Sequence, residues 1–159
     1  MKRLALYFLA AVGVIVSGCG SKVLYKESLV IPDAGWAYAD TLEYRFSVSD
    51  TLQIYDLSLT VWHKREYPFQ NVYVNVHTMF PGGEKLKERL SLEMMDSKES
   101  LWLGKCGRER CRLDIVLQEG AFFQQPGEYA LLLEQHTRMD TLPGIEQIAL
   151  QIEATDMRR

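Results

Sequence analysis

Two cysteines stand in Cys106-Gly-Arg-Glu-Arg-Cys111, with four residues between them. Such a pair admits three chemistries: a dithiol redox centre, part of a metal site, or a staple across a hairpin. A redox pair is normally C-x-x-C opening a helix, whereas this spacing is longer and lies between strand-like segments. A metal centre wants about four ligands at recognisable spacings, and the sequence holds no second cysteine pair. Trp102, Gly104 and Cys106 fall in phase on one side of the loop, and Cys111, Leu113, Ile115 and Leu117 on the other. A hairpin closed by Gly107 to Arg110 therefore sets the sulfurs opposite each other. A structural disulfide is the favoured reading, with free thiols and redox or metal chemistry as the alternatives.

Other chemistry is thin. The sequence has no Gly-rich phosphate loop, nucleophile elbow or His-Glu-x-x-His. His63, His77 and His136 are far apart; His63 is in phase with an apolar strand face and His77 with a polar one. The carboxylates show no spacing that argues for paired acid and base work. No catalytic residue, metal ligand or soluble cofactor is assigned, and a hydrolase stands only as an alternative without a located site. Aromatic residues, however, concentrate in Trp62-His-Lys-Arg-Glu-Tyr-Pro-Phe-Gln-Asn71, between two strong strand patterns. Trp62, His63, Tyr67, Phe69 and Asn71 are candidate interaction residues, because Trp, Tyr and Phe favour recognition surfaces and function often sits on connections. Trp62, Tyr67 and Phe69 also suit a stacking platform for a glycan or peptidoglycan. The plainer reading has Tyr67 and Phe69 capping the core, with Asn71 fixing a turn.

Strands must position these residues. Period-two alternation, the mark of half-buried strands, runs through Leu42 to Val48, Tyr55 to Val61, Val72 to His77 and Leu90 to Met94. It returns at Leu113 to Leu117, Tyr129 to Leu133 and Ile148 to Glu153, and an opening strand near Leu24 to Ile31 makes about eight. Asp50-Thr51, Pro81-Gly82-Gly83, Pro126-Gly127 and Pro143-Gly144 supply turns between them. No segment of helix length carries a sustained helical apolar stripe. The pattern predicts an all-β chain, an antiparallel β-sandwich of jelly-roll type over residues 23–156, with a small closed barrel as the alternative.

The N-terminus sets the compartment. Lys2 and Arg3 precede an apolar run from Leu4 to Val16, too short to span a bilayer and fitting a secretory signal peptide. Val16-Ser17-Gly18-Cys19 then matches a bacterial lipobox. Residues 1–18 are the expected signal peptide, Cys19 the lipidation site, and 19–22 a short tether. The expected modification is diacylglycerol on the sulfur and an acyl chain, of palmitate type, on the new N-terminus. Two or more acyl chains anchor stably where one is marginal. With Cys19 taken by lipid, the two remaining thiols occupy an oxidising compartment, where cysteines normally pair. Loss of Lys2 and Arg3 with the leader takes the formal net charge from −3 to −5. That balance argues against nucleic acid as a partner. Gly20-Ser21-Lys22 carries no Asp retention mark and no acidic export run, so the expected place is the periplasmic face of the outer membrane.

Three stretches together carry a resemblance: 41–76, 95–107 and 126–153. With the lipobox, the Tyr67-Pro-Phe-x-Asn71 segment, the Trp102-x-Gly104 step and Leu142-Pro-Gly-Ile145, they resemble the gliding-motility lipoprotein GldH family of the Bacteroidota. The resemblance implies a lipoprotein of the gliding and type IX secretion context. Its implied contacts are outer-membrane lipid through Cys19 and envelope proteins of that machinery. It transfers no catalytic residue. The chain departs from the family pattern at Trp62, where a basic residue is expected, and at Cys106 and Cys111, which interrupt a Gly- and Asp-rich stretch. The cysteine pair thus reads as a lineage-specific addition.

Overall fold

Alternation of apolar and polar side chains lets one face of a strand be buried and the other stay wet, and eight long strands form on that rule. A computed structural model describes residues 22–159. The expected signal peptide, Cys19 and the tether up to Ser21 lie outside the described residues. The elements are β1 (Lys22–Val30), β2 (Trp36–Ala37), β3 (Thr41–Val48), β4 (Gln53–Lys64), β5 (Asn71–Met79), β6 (Lys85–Glu93) and β7 (Met95–Asp96). They continue with β8 (Leu101–Trp102), β9 (Lys105–Cys106), β10 (Arg110–Ala121), β11 (Gly127–Gln135), β12 (Thr141–Leu142) and β13 (Ile145–Arg158). Each alternating segment in the sequence falls on a long strand, with Met94 just past the end of β6 and Ile31 just past the end of β1; the two-residue strands are the elements that alternation cannot reveal.

Pairing is nested. β5 pairs with β6, β4 with β10, β3 with β11, and β1 with β13, all antiparallel. Two large sheets result, ordered β1-β13-β4-β10-β9 and β3-β11-β5-β6, with β2–β12 and β7–β8 as separate two-stranded pairs. This is a long hairpin of strand pairs rolled into two layers, the jelly-roll arrangement. Both sheets have open edges, so the closed barrel is set aside.

The inward residues of both sheets meet in one core. Leu59, Val61, Ile148, Leu150 and Ile152 come from the five-stranded sheet, and Tyr44, Val72, Val74 and Leu133 from the four-stranded one. Full burial of each such aliphatic side chain contributes roughly 1.5–3 kcal/mol. Tyr44 crosses the core, and its hydroxyl donates to the Ile148 carbonyl in the opposite sheet at 2.8 Å. One end of the sandwich is closed by Phe46, Tyr55, Phe123 and Tyr129, in mutual ring contact. The first described residue, Lys22, pairs with Ala154, which also pairs with Tyr55, so the chain enters at this end.

Candidate functional site

The opposite end is built around His63. β4 alternates up to its last turn, so His63 follows Val61 inward and is fully buried. Its Nδ1 donates to the Lys64 carbonyl at 2.8 Å, while its Nε2 has no hydrogen-bond partner among the described residues. Burial first of all pulls the His63 pKa down, against the Lys64 carbonyl and the Glu146 carboxylate, which pull it up. After β4 the chain turns, Tyr67 N–H donating to the Lys64 carbonyl, and Tyr67 drops into the core. Its hydroxyl donates to the Asn71 carbonyl at 3.0 Å, and burial raises its pKa well above the ordinary phenol range. The Tyr67, His63 and Trp102 rings lie against one another with centroids 4.8 to 6.2 Å apart. Gly144, at φ +82°, sits against Tyr67; a Cβ there would come within 3.3 Å of the ring. Gly104, at φ +80°, lets the chain after Trp102 press on the β10 backbone, where a Cβ would overlap the Arg112 carbonyl.

The five candidate interaction residues therefore do not form one surface. His63 and Tyr67 are core, because alternation and the turn after Lys64 aim them inward. Trp62 lies half-buried on the outer face of the five-stranded sheet, with the Arg112 guanidinium 5.6 Å from its ring centroid. Arg112 also pairs with Asp114, whose carboxyl is held below its usual range by the Thr60 hydroxyl and then by Arg112. Cys106 and Cys111 face each other in register and are joined by a disulfide. Gly107 N–H donates to the Arg110 carbonyl inside them, and Arg65 donates to the Gly107 carbonyl at 3.0 Å, tying the hairpin to the turn after β4. His77 and Glu134 pair at 2.9 Å on the outer face of the four-stranded sheet, remote from His63 in the fold's layering.

Phe69 stays at this end, its ring edge-on to Tyr67 with centroids 5.7 Å apart, and with Asn71 it opens onto the outside of the other sheet. With Tyr73, Arg89 and the loop His136 to Met139, they line a groove of about 640 Å³ on the outer face of the four-stranded sheet. Phe69 is 39% exposed, Tyr73 45% and Met139 38%. The loop is fixed from beneath by buried Gln135. Its Nε2 donates to the Met139 carbonyl at 2.9 Å, and its Oε1 accepts from the Thr137 N–H and hydroxyl at 2.9 and 2.7 Å. His136 N–H donates to the Tyr73 carbonyl at 2.7 Å, locking the loop to β5. Asn75, 5% exposed, donates weakly to His136 Nδ1 at 3.4 Å, and its Oδ1 has no hydrogen-bond partner among the described residues.

The model of the GldH lipoprotein family matches residues 23–152. The chain belongs to that family. The gliding motility lipoprotein GldH homolog of Christiangramia forsetii is 22% identical over 150 residues, spanning 90% of this chain and 91% of that one. Among solved structures, dimeric latent PorU from Porphyromonas gingivalis overlaps with 11% identity and a TM-score of 0.30. The overlap covers 86% of this chain and 14% of PorU, and at that score it carries no argument. Membership in the GldH family makes this an envelope lipoprotein of the gliding-motility context.

Some of the motif residues that carry the GldH resemblance converge on His63, while Phe69 and Asn71 line the groove. Tyr67, Trp102 and Gly144 touch there, Gly104 positions Trp102, and Ile145 pairs with His63 in register. Their work is packing. The groove residues Tyr73, Arg89, His136, Arg138 and Met139 were not singled out by sequence reasoning, since they are scattered along the chain and only strand register gathers them. One signal was available: Tyr73 is an aromatic residue on the polar side of an alternating strand.

Proposed function

We propose that this chain is a non-enzymatic interaction module. It is anchored through Cys19 to the periplasmic face of the outer membrane and serves the gliding or type IX secretion machinery by docking an envelope protein in the groove. The observation that carries the reading is the groove itself: exposed aromatic and apolar side chains beside two arginines, drawn from β5, β6, the turn before β5 and a loop that buried Gln135 holds in place. Aromatic and Arg side chains in a shaped recess are what docking sites are built from. Family membership supports the envelope setting. The glycan reading required Trp62, Tyr67 and Phe69 on one surface; they occupy an outer sheet face, the core and the groove, so that platform is lost.

The test is a photo-crosslinking amino acid at Tyr73 in cells, with the same residue at Ser58 on the other sheet as control. A discrete crosslinked protein at position 73 that is absent at 58 is expected. Equal or absent capture at both positions overturns the docking reading.

A further inference from the structure

We infer that the groove takes an acidic, extended peptide segment of a partner protein, with its carboxylates on Arg89 and Arg138 and an apolar side chain against Phe69, Tyr73 and Met139. The inference deepens the docking reading and rests on it.

The arginines single out the place. Nine fall within the described residues. Arg45, Arg110, Arg112 and Arg158 pair with carboxylates. Arg65 donates to a backbone carbonyl, and Arg159 lies over the Phe122 ring. Of the remaining three, Arg108 sits in the turn of the disulfide hairpin; the other two, Arg89 and Arg138, both line the groove. Among the described residues no carboxylate lines it. Of its acidic neighbours, Glu134, paired with Asn75, is taken by His77, and Glu93, in register with Asn71, stands at the far end of β6 from Lys85 and Lys87. Alternation along β6 puts Lys85 and Lys87 on the same face as Arg89, so the cationic strip runs on from the groove along an edge strand. A local basic surface on a chain of net charge −3 calls for an acidic complement.

Three arguments favour a peptide. Guanidinium forks match carboxylates bidentately, and the apolar wall asks for a hydrophobic side chain in the same ligand. A neutral sugar could use the Asn71, Tyr73 and Thr137 oxygens but brings no charge to answer two guanidinium groups. Anionic lipid is poorly placed. Lys22 enters at the Tyr55 end, while the groove adjoins the His63 end, eight residues along β4 and so roughly 26 Å away. The expected anchor therefore leaves the groove at the far end of the sandwich from the bilayer.

The test uses the full chain in detergent and a fluorescent eight-residue peptide alternating Glu with Phe and Leu, beside its Gln-for-Glu counterpart. The Glu peptide is expected to bind roughly tenfold tighter or better, with strong salt dependence. An R89E/R138E variant should lose that margin, and R108E, in the hairpin turn, should keep it. Equal binding of the two peptides, or equal loss in R108E, overturns the inference. So does binding to phosphatidylglycerol vesicles that needs Arg89 and Arg138 without discrimination between the peptides. Capture at Tyr73 of a partner segment lacking acidic residues would keep the docking reading and sink this one. Absence of capture at Tyr73 sinks the docking reading itself.

Discussion

Burial turned His63 from a candidate contact into a pH-sensitive core residue. Its folded pKa lies below the ordinary value of 6.5, chiefly through desolvation. As pH falls through that value the unfolded chain takes up a proton that the fold resists, so stability is full above it and declines on the acid side. The slope is at most about 1.4 kcal/mol per pH unit for one proton. Denaturant melts at pH 7 and pH 5 should show this loss, and His63→Phe should flatten it; an undiminished loss in the variant would clear His63 of the effect. Tyr67 separates packing from hydrogen bonding at the same spot. Tyr67→Phe gives up the bond to Asn71 and should cost about 1 kcal/mol. Tyr67→Ala opens a cavity beside His63 and Trp102 and should cost about 3–5 kcal/mol by the same melts.

At the scale of elements, one loop and one hairpin can be tested apart from the sandwich. Gln135→Leu keeps the size of the side chain but removes all three bonds to the 136–139 loop. Hydrogen exchange at the Thr137 amide should rise sharply while the β5 amides stay protected. Reducing the Cys106–Cys111 disulfide should lower stability by only about 2 kcal/mol, because the closed loop is short; a melt with and without reductant reads this directly. The eight long strands were legible because alternation is local: Tyr55 to Val61 announces its own inward face. Sandwich against barrel was not, since that depends on which distant strands pair. The hairpin was legible for the same local reason as the strands, with Cys106 and Cys111 on facing phases of a short reversal. The groove was not, because Tyr73 and His136 meet only through the β5–β11 register. His63 is instructive: its phase already pointed inward, and its neighbours in an aromatic-rich connection drew it into a surface reading that burial removes.

For the whole molecule, the two ends of the sandwich have different duties. The Tyr55 end receives the chain from the expected lipid anchor, and the His63 end carries the groove. Cys19→Ala should move the protein from the membrane to the soluble fraction of a cell fractionation while leaving its melting temperature unchanged, since the domain begins at Lys22. Retention of that variant in the membrane fraction would mean that something other than lipid holds it there. The arrangement also decides how the fold bears force. A partner held in the groove and a lipid fixed beyond Lys22 pull along the strand axis from opposite ends. The load then falls on the β1–β13 ladder in shear, with its rungs from Lys22–Ala154 to Val30–Gln147 stressed together. A pull across the strands would peel the same rungs one at a time. First strand paired with last thus lets the domain meet an axial load with the whole ladder at once.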